Sequence, residues 1–521
     1  MRNVEKIKRI LLVVLIISAI LELCIFPSVA NLTGVFFSII STLLYFNYIL
    51  RPHFYKENPL LFLVSIILFG FMYLPLPATL VDGNAISHDM YNPELTFIFQ
   101  FVYFVLFIVA LRITARISRY HRGLNRLLNN VGFYTIPSFS QTFMLAAFGW
   151  IFQFQKLFNQ FSGEDLYVAN MGTYTLFSIF IYSPIVNLFR DLLGGVSCSK
   201  KQKILIWIYI IILGISMTAT NSRGAMLSSF FIISLCFMLR RILAKDELRI
   251  ITVKNTFIAI LAFFIISGPL DDMAFAMLMA RNQRSGMNYK ELFSLTLEYY
   301  NDKDRLNKYR NYLDKRAGEL SDYDWNEKYV SNVFLQRFCN YRVVDASIHH
   351  ALKAGIPNGK MMEDFGNRLI AMFPQPIVDV ISPGFNKSNY TYSPMDLLYS
   401  ISSKKALHRS YIVGGDVGTG LATVGFFYFP LIFAVYVLEL LIISNLVYHH
   451  RGKKQFSIIT LIGLMGLFTH YQVGSGMIVH VTFILWSFWW TTLWGFLSLK
   501  ILTMVKPSYK FWVSTQKGAK N

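Results

Sequence analysis

Arg342, Asp345 and His349 stand at i, i+3 and i+7, a spacing that aligns a cation, a carboxylate and a titratable imidazole along one helical stripe. Arg337 falls about a turn and a half earlier and His350 alongside. Such a stripe can hold an anion and take up a proton near neutral pH, since an imidazole titrates at about 6.5. It is equally the exposed face of a helix carrying an Arg/Asp ion pair. Arginine recurs at three other places. Arg281 and Arg284 lie in Ala280-Arg281-Asn282-Gln283-Arg284-Ser285-Gly286, after Asp271 and Asp272; Arg409 precedes Gly414-Gly415-Asp416-Val417-Gly418-Thr419-Gly420; Arg223 stands in Thr220-Asn221-Ser222-Arg223-Gly224 between two apolar runs. A guanidinium binds phosphate bidentately and keeps its charge at a membrane interface, so these are candidate anion sites. For Arg223, snorkelling to lipid headgroups is the competing explanation.

The elements that must position these residues are apolar runs of membrane-crossing length. They fall at Ile10 to Val29, Leu32 to Leu50, Leu60 to Leu80, Leu95 to Leu111, Ile136 to Phe154, Tyr167 to Phe189, Ile204 to Thr220, Gly224 to Leu239 and Thr256 to Gly268, then Thr419 to Val447, Phe456 to Tyr471 and Met477 to Leu499. The expected fold is an all-α integral membrane protein of about 12 transmembrane helices with one large helical extracytoplasmic loop. Residues 1–268 form a bundle of nine spans, 269–418 the loop, 419–499 three C-terminal spans and 500–521 a basic tail. A chain that is 54% hydrophobic and 15% charged has too little polar surface to cover itself in water. Tyr, Phe, Leu and Trp recur at helical spacing through Asp304 to Glu319 and Tyr329 to Ala354, so the loop should fold as short helices on the outer membrane face.

Segments assigned to the inside hold 28 Lys/Arg against 5 Asp/Glu, while the loop carries 19 against 17. That bias puts both termini in the cytoplasm and the loop outside, and assigns the net charge of +20 to topology and anionic lipid, with no need of nucleic acid. The stripe Arg112, Arg116, Arg119, Arg122 reads as a juxtamembrane helix on headgroups. With no GxxxxGK[ST] or GxGxxG segment after a strand pattern, an ATP-driven pump or an inward nucleotide-sugar enzyme is disfavoured. Cys24, Cys198, Cys236 and Cys339 lie singly, so no disulfide framework, metal site or cofactor is expected. Glu22 and Glu439 interrupt apolar spans, and His470 and His480 flank the last outer turn; the histidines read as packing or interface residues rather than ligands.

A dozen spans, cytoplasmic termini, the Asn-Ser-Arg-Gly turn at Asn221 to Gly224, a large late outward loop and a Gly-Phe-Phe re-entry at Gly425 to Phe427 together resemble the Wzy-type O-antigen or capsule repeat-unit polymerases of bacteria, of the superfamily that includes the O-antigen ligases. Arg409 to Gly420 also fits an Arg-x10-Gly pattern described in outward loops of that family. The resemblance implies a glycosyltransferase of the bacterial inner membrane that moves a glycan from undecaprenyl diphosphate onto a lipid-linked repeat unit, without metal or cofactor. A flippase and a chain-length regulator of the same pathway would be its partners. It implies that Arg223, Arg284 and Arg409, with Arg281 as substitute, hold diphosphate and that Arg342 and Arg337 hold diphosphate or sugar. His349 would be the base, oriented by Asp345, with Asp416 as second choice. The alternatives are a ligase acting on a lipid A-core acceptor and a lipid-linked glycan transporter. Transporters usually show two similar halves, which this chain lacks, and the acidic pair expected early in membrane-type polyprenyl-phosphate-sugar transferases comes only at Asp271 and Asp272.

Overall fold

The computed structural model describes residues 2–119, 123–161, 177–218, 223–244, 268–281, 289–319, 327–332, 335–407, 412–450, 453–472 and 476–505, with isolated positions between 252 and 264. The described chain is mostly helical. Among the described residues, four helical stretches are long and apolar enough to cross a membrane: Val29–Tyr48, Pro93–Ile117, Asp416–Ser444 and Met477–Ile501; the bent pair Pro59–Tyr73 and Pro75–Val81 makes a fifth. Helices α1 (Arg2–Ile25) and α2 (Val29–Tyr48) are joined at Ser28, whose hydroxyl accepts from the Asn31 amide and caps α2. Helices α3 (Pro52–Glu57), α4 (Pro59–Tyr73), α5 (Pro75–Val81) and α6 (Pro93–Ile117) all start on proline, which the first turn tolerates because its N–H would have no helical partner. Pro75 also bends the run expected as one span over Leu60 to Leu80, by 48°.

There follow α7 (Gly123–Asn130), α8 (Phe139–Phe161), a 3-10 segment Ile179–Leu193 that contains Pro184 and kinks at Phe189, α9 (Lys200–Thr218) and α10 (Arg223–Leu243). Exposed Ile, Leu, Val and Trp crowd α1 and α9: Ile16, Ile20, Ile204, Trp207, Ile211 and Ile215 are each about half exposed or more, the surface that lipid covers. The segment expected as a loop forms α11 (Pro269–Arg281), α12 (Tyr289–Asn301), α13 (Lys303–Glu319), α14 (Gln336–Cys339), α15 (Tyr341–Ala354), α16 (Gly359–Ala371), α17 (Gln375–Ile381) and α18 (Pro394–Ser403). Beyond it come α19 (Asp416–Val424), a 3-10 turn at Gly425–Phe427, α20 (Tyr428–Ser444), the hairpin of β1 (Tyr448–His450) and β2 (Lys453–Gln455), α21 (Ile458–Ile462), α22 (Leu464–Thr469), α23 (Met477–Thr482), a π-helical turn Phe483–Ser487 and α24 (Phe488–Val505).

Two features differ from the expectation of helices resting on an outer face. Helix α15 is sunk among the bundle helices: Tyr341 is 1% exposed and packs edge-on between Phe71 and Phe97, with ring centroids 5.2 and 5.3 Å away. It also lies directly on α19, because Gly415 and Gly418 present no side chain there. A Cβ at Gly418 would come within 2.3 Å of the Ser347 backbone, and one at Gly415 within 2.9 Å of Val344 Cα. The Ser347 hydroxyl closes the seam by accepting from the Gly415 amide. The glycine run thus serves a helix crossing, one of the two roles such a run can have.

Candidate functional site

The polar face of α15 docks on the turn between α5 and α6, residues 82–92. Asn340 caps the helix by accepting from Val343 N, which ends the preceding α14 and turns Arg337 away from the Arg342 stripe. Arg337 is exposed, on α14. Asp345 is 0% exposed and accepts from the Tyr91 and Asn92 amides and from Thr96 Oγ1 at 2.9 Å, the Asn92 bond being 2.8 Å. Burial pushes its carboxyl above the ordinary range and these donors pull it back only in part. His349 stacks on Tyr91 at 4.1 Å, and its Nδ1 lies 3.2 Å from Asn92 Nδ2. Asn92, not Asp345, therefore fixes the imidazole. Arg342 Nη1 is 2.7 Å from Asp89 Oδ2 and also donates to the Lys328 carbonyl. His350 faces the other way, 2.8 Å from the Ser402 hydroxyl; burial, with His349 and Lys353 adding to it, lowers its pKa to about 4.

The turn itself is tied down from below. Glu22 accepts from Ile86 N at 2.8 Å, Asn31 Oδ1 accepts from Ser87, and Tyr329 OH donates to the Ile86 carbonyl at 2.6 Å. Glu22, an acid in an apolar run, thus ties α1 to the turn that carries α15.

A second polar cluster lies seven residues further along α6, about 10 Å deeper at 1.5 Å per residue. Asp416, 2% exposed at the start of α19, accepts from Tyr103 OH at 3.0 Å and from the Gly476 amide. His480 Nε2 is 3.8 Å from its Oδ2. Beyond His480 sits Glu439, 0% exposed, whose Oε1 is 2.7 Å from His470 Nε2 and 3.2 Å from His480 Nδ1. Tyr436, Tyr471 and Tyr103 wall the group, the first two with rings 5.4 and 5.8 Å from that of His480.

No protein-family model, curated protein or solved structure matches the chain. Of the residues singled out in the sequence, Arg342, Asp345 and His349 share one face of α15 over the 82–92 turn, Asp416 belongs to the deeper cluster, and Arg337 stands apart from both. Arg223 opens α10 and Arg281 closes α11; their side chains, with Arg284 and Arg409 altogether, lie outside the described residues. Sequence reasoning passed over Asp89, Tyr91, Asn92 and Thr96, and it set His470 and His480 aside as packing. The missed signal was an acid inside an apolar run, Glu439, followed by two histidines ten residues apart across a glycine-containing turn.

Proposed function

We propose that the chain is a Wzy-type glycan polymerase of the bacterial inner membrane, with twelve spans, both termini cytoplasmic and the 269–418 segment outside. It would extend a glycan on undecaprenyl diphosphate by transferring it to the sugar of a newly exported lipid-linked repeat unit. The observation that carries the reading is the seating of α15 on the 82–92 turn, which gathers a cation, an imidazole and hydrogen-bonding amides at one end of α6. The opposite end of that 25-residue helix, about 37 Å away at 1.5 Å per residue, carries Arg112 and Arg116, with Arg119 just beyond it. A basic end and a loop-covered end at that separation match the two faces of a bilayer.

In the proposed step a sugar hydroxyl attacks the anomeric carbon, the bond from that carbon to the diphosphate oxygen breaks, and undecaprenyl diphosphate leaves with the electron pair. The hydroxyl proton goes to His349 Nε2, an atom buried in this arrangement, so the step needs the entering glycan to uncover it. The transfer also requires the tautomer with its proton on Nδ1, held by the Asn92 side-chain carbonyl after the amide turns over. Arg342, together with Arg223, Arg281, Arg284, Arg337 and Arg409 as further candidates, would meet the charge developing on the diphosphate. Asp345 acts as the pin that holds α15 to the turn, and Asp416, sealed in the deeper cluster, takes no part in this step.

The test is polymer formation in membranes supplied with lipid-linked repeat unit. The native chain should give a ladder of even steps, abolished in His349→Ala and in Arg223→Ala. One transfer onto a lipid A-type acceptor would make it a ligase; substrate crossing the membrane with no product would make it a transporter. A full ladder from His349→Ala would remove that residue from the chemistry.

A further inference from the structure

The deeper cluster has the composition and convergence of a metal site. Glu439 comes from α20, His470 from the residue after α22 and His480 from α23, and one donor atom of each lies within 4.8 Å of the others. Glu439 and His480 are completely buried, and the His470 side chain is 7% exposed. We propose that these three residues bind a first-row divalent transition ion, zinc foremost, that ties α20, α22 and α23 together beneath the loop. The inference is independent of the polymerase reading, since the site would bind its ion whatever reaction occurs above it.

Three observations carry it beyond the cluster itself. First, His480 is placed as a ligand with an outer partner. Its Nδ1 faces Glu439, while its Nε2 points to Asp416 at 3.8 Å, too long for a hydrogen bond. An ion on Nδ1 would leave the proton on Nε2, aimed at a carboxylate that Tyr103 and Gly476 already hold in place. That is the carboxylate–histidine–metal arrangement in which the second carboxylate sets the tautomer. Second, the charges balance. Among the described residues neither Glu439 nor Asp416 has a Lys or Arg partner, and a divalent ion neutralises both carboxylates where burial makes uncompensated charge costly. Third, the hydroxyls of Tyr436 and Tyr471 are buried beside the imidazoles, facing Tyr103 and Glu439 without a well-formed hydrogen bond among the described residues. They fit a water completing a tetrahedron of two nitrogens and one oxygen.

Two imidazoles and a carboxylate select zinc, iron, cobalt or nickel over calcium and magnesium, which prefer all-oxygen shells. A narrow cleft lined by Asp364, Arg368, Pro394, Thr419, Gly476 and Met477 ends at Gly476, whose amide holds Asp416, and does not reach the three ligands.

The experiment uses the full chain in detergent, freed of any affinity tag, stripped by chelator and titrated with Co²⁺ as the optical probe. The expected result is about one equivalent bound per chain, with the visible d–d absorption of a four-coordinate nitrogen/oxygen site, displaced by Zn²⁺. Zn²⁺ at saturation should raise the Tm of the stripped chain by about 5 °C. Glu439→Gln and His480→Ala should lose the absorption and the shift, while His53→Ala, on an exposed histidine of α3, should keep both. Because a core variant can fail to fold, the native chain decides alone. No absorption and no Tm shift overturns the site, and a Tm that ignores metal but follows pH assigns the cluster to shared protons instead.

Discussion

The two polar clusters along α6 are built from opposite materials. At the outer one, the carboxylate of Asp345 is held by main-chain amides of a distant turn and a threonine hydroxyl. At the deeper one, the hydrogen bonds to Glu439 among the described residues come from imidazoles, and those to Asp416 from a tyrosine and a single amide. Amide donors keep their hydrogens at every pH, so the outer cluster is a fastener. Imidazoles gain and lose protons or yield to metals, so the inner cluster answers to what surrounds it.

Removing the fastener should have the largest effect. Asp345→Ala leaves three buried donors without their acceptor, a loss of about 4 kcal/mol at roughly 1–3 kcal/mol per stranded group, partly relieved by water. Denaturant midpoints would measure it, with proteolysis of the 82–92 turn as the local readout; an unchanged midpoint and an intact turn would show that α15 is held by packing alone. Next comes Gly418→Ala, whose Cβ would press on the Ser347 backbone and should cost about 2 kcal/mol through a shift of α15 from α19. Full stability there would mean that the seam has slack.

A third effect sets two groups of α15 against each other by pH. His350 is lowered to about 4 by burial, so between its unfolded value of 6.5 and that figure the unfolded chain takes up a proton the folded chain refuses. Its contribution is whole above pH 6.5 and lost as pH falls, about 2 kcal/mol by pH 5. Asp345, raised by burial, slopes the other way: its contribution is whole below 3.8 and fades as pH rises through the folded value. His350→Gln should therefore flatten the acid side of the stability curve, and an unaltered curve would reject the assignment. The smallest effect is expected for Arg342→Ala. Its partner Asp89 is 59% exposed, so screening leaves the pair worth no more than about 1 kcal/mol, and a larger stability loss would point to a role in packing.

The apolar runs were legible in the sequence because length and composition decide them, as at α2 and α6. The breaks within them were less so, although Pro75 and Gly425, with φ of +66°, mark two of them. Arg342, Asp345 and His349 do share one helical face, as their spacing implies, while Arg337, placed a turn and a half earlier on the same helix, falls on a separate one because Asn340 caps a new helix. What Asp345 binds was invisible, since a main-chain amide has no residue type to read. Glu439, His470 and His480 were each noticed, yet the turn that folds the last two back onto α20 is a tertiary fact.

That turn also shortens the path across the membrane. Residues 458 to 469 form α21 and α22, a rise of about 18 Å at 1.5 Å per residue, well short of a hydrocarbon layer of about 30 Å. Beyond α22, Gln472 donates to the Arg337 carbonyl and the Gly476 amide to Asp416. Irregular backbone at that depth is tolerable because protein, not acyl chain, surrounds it. Transfer between thin and thick bilayers should therefore tilt the full-length rods α2 and α6 and leave the corner under α14 and α19 as it stands.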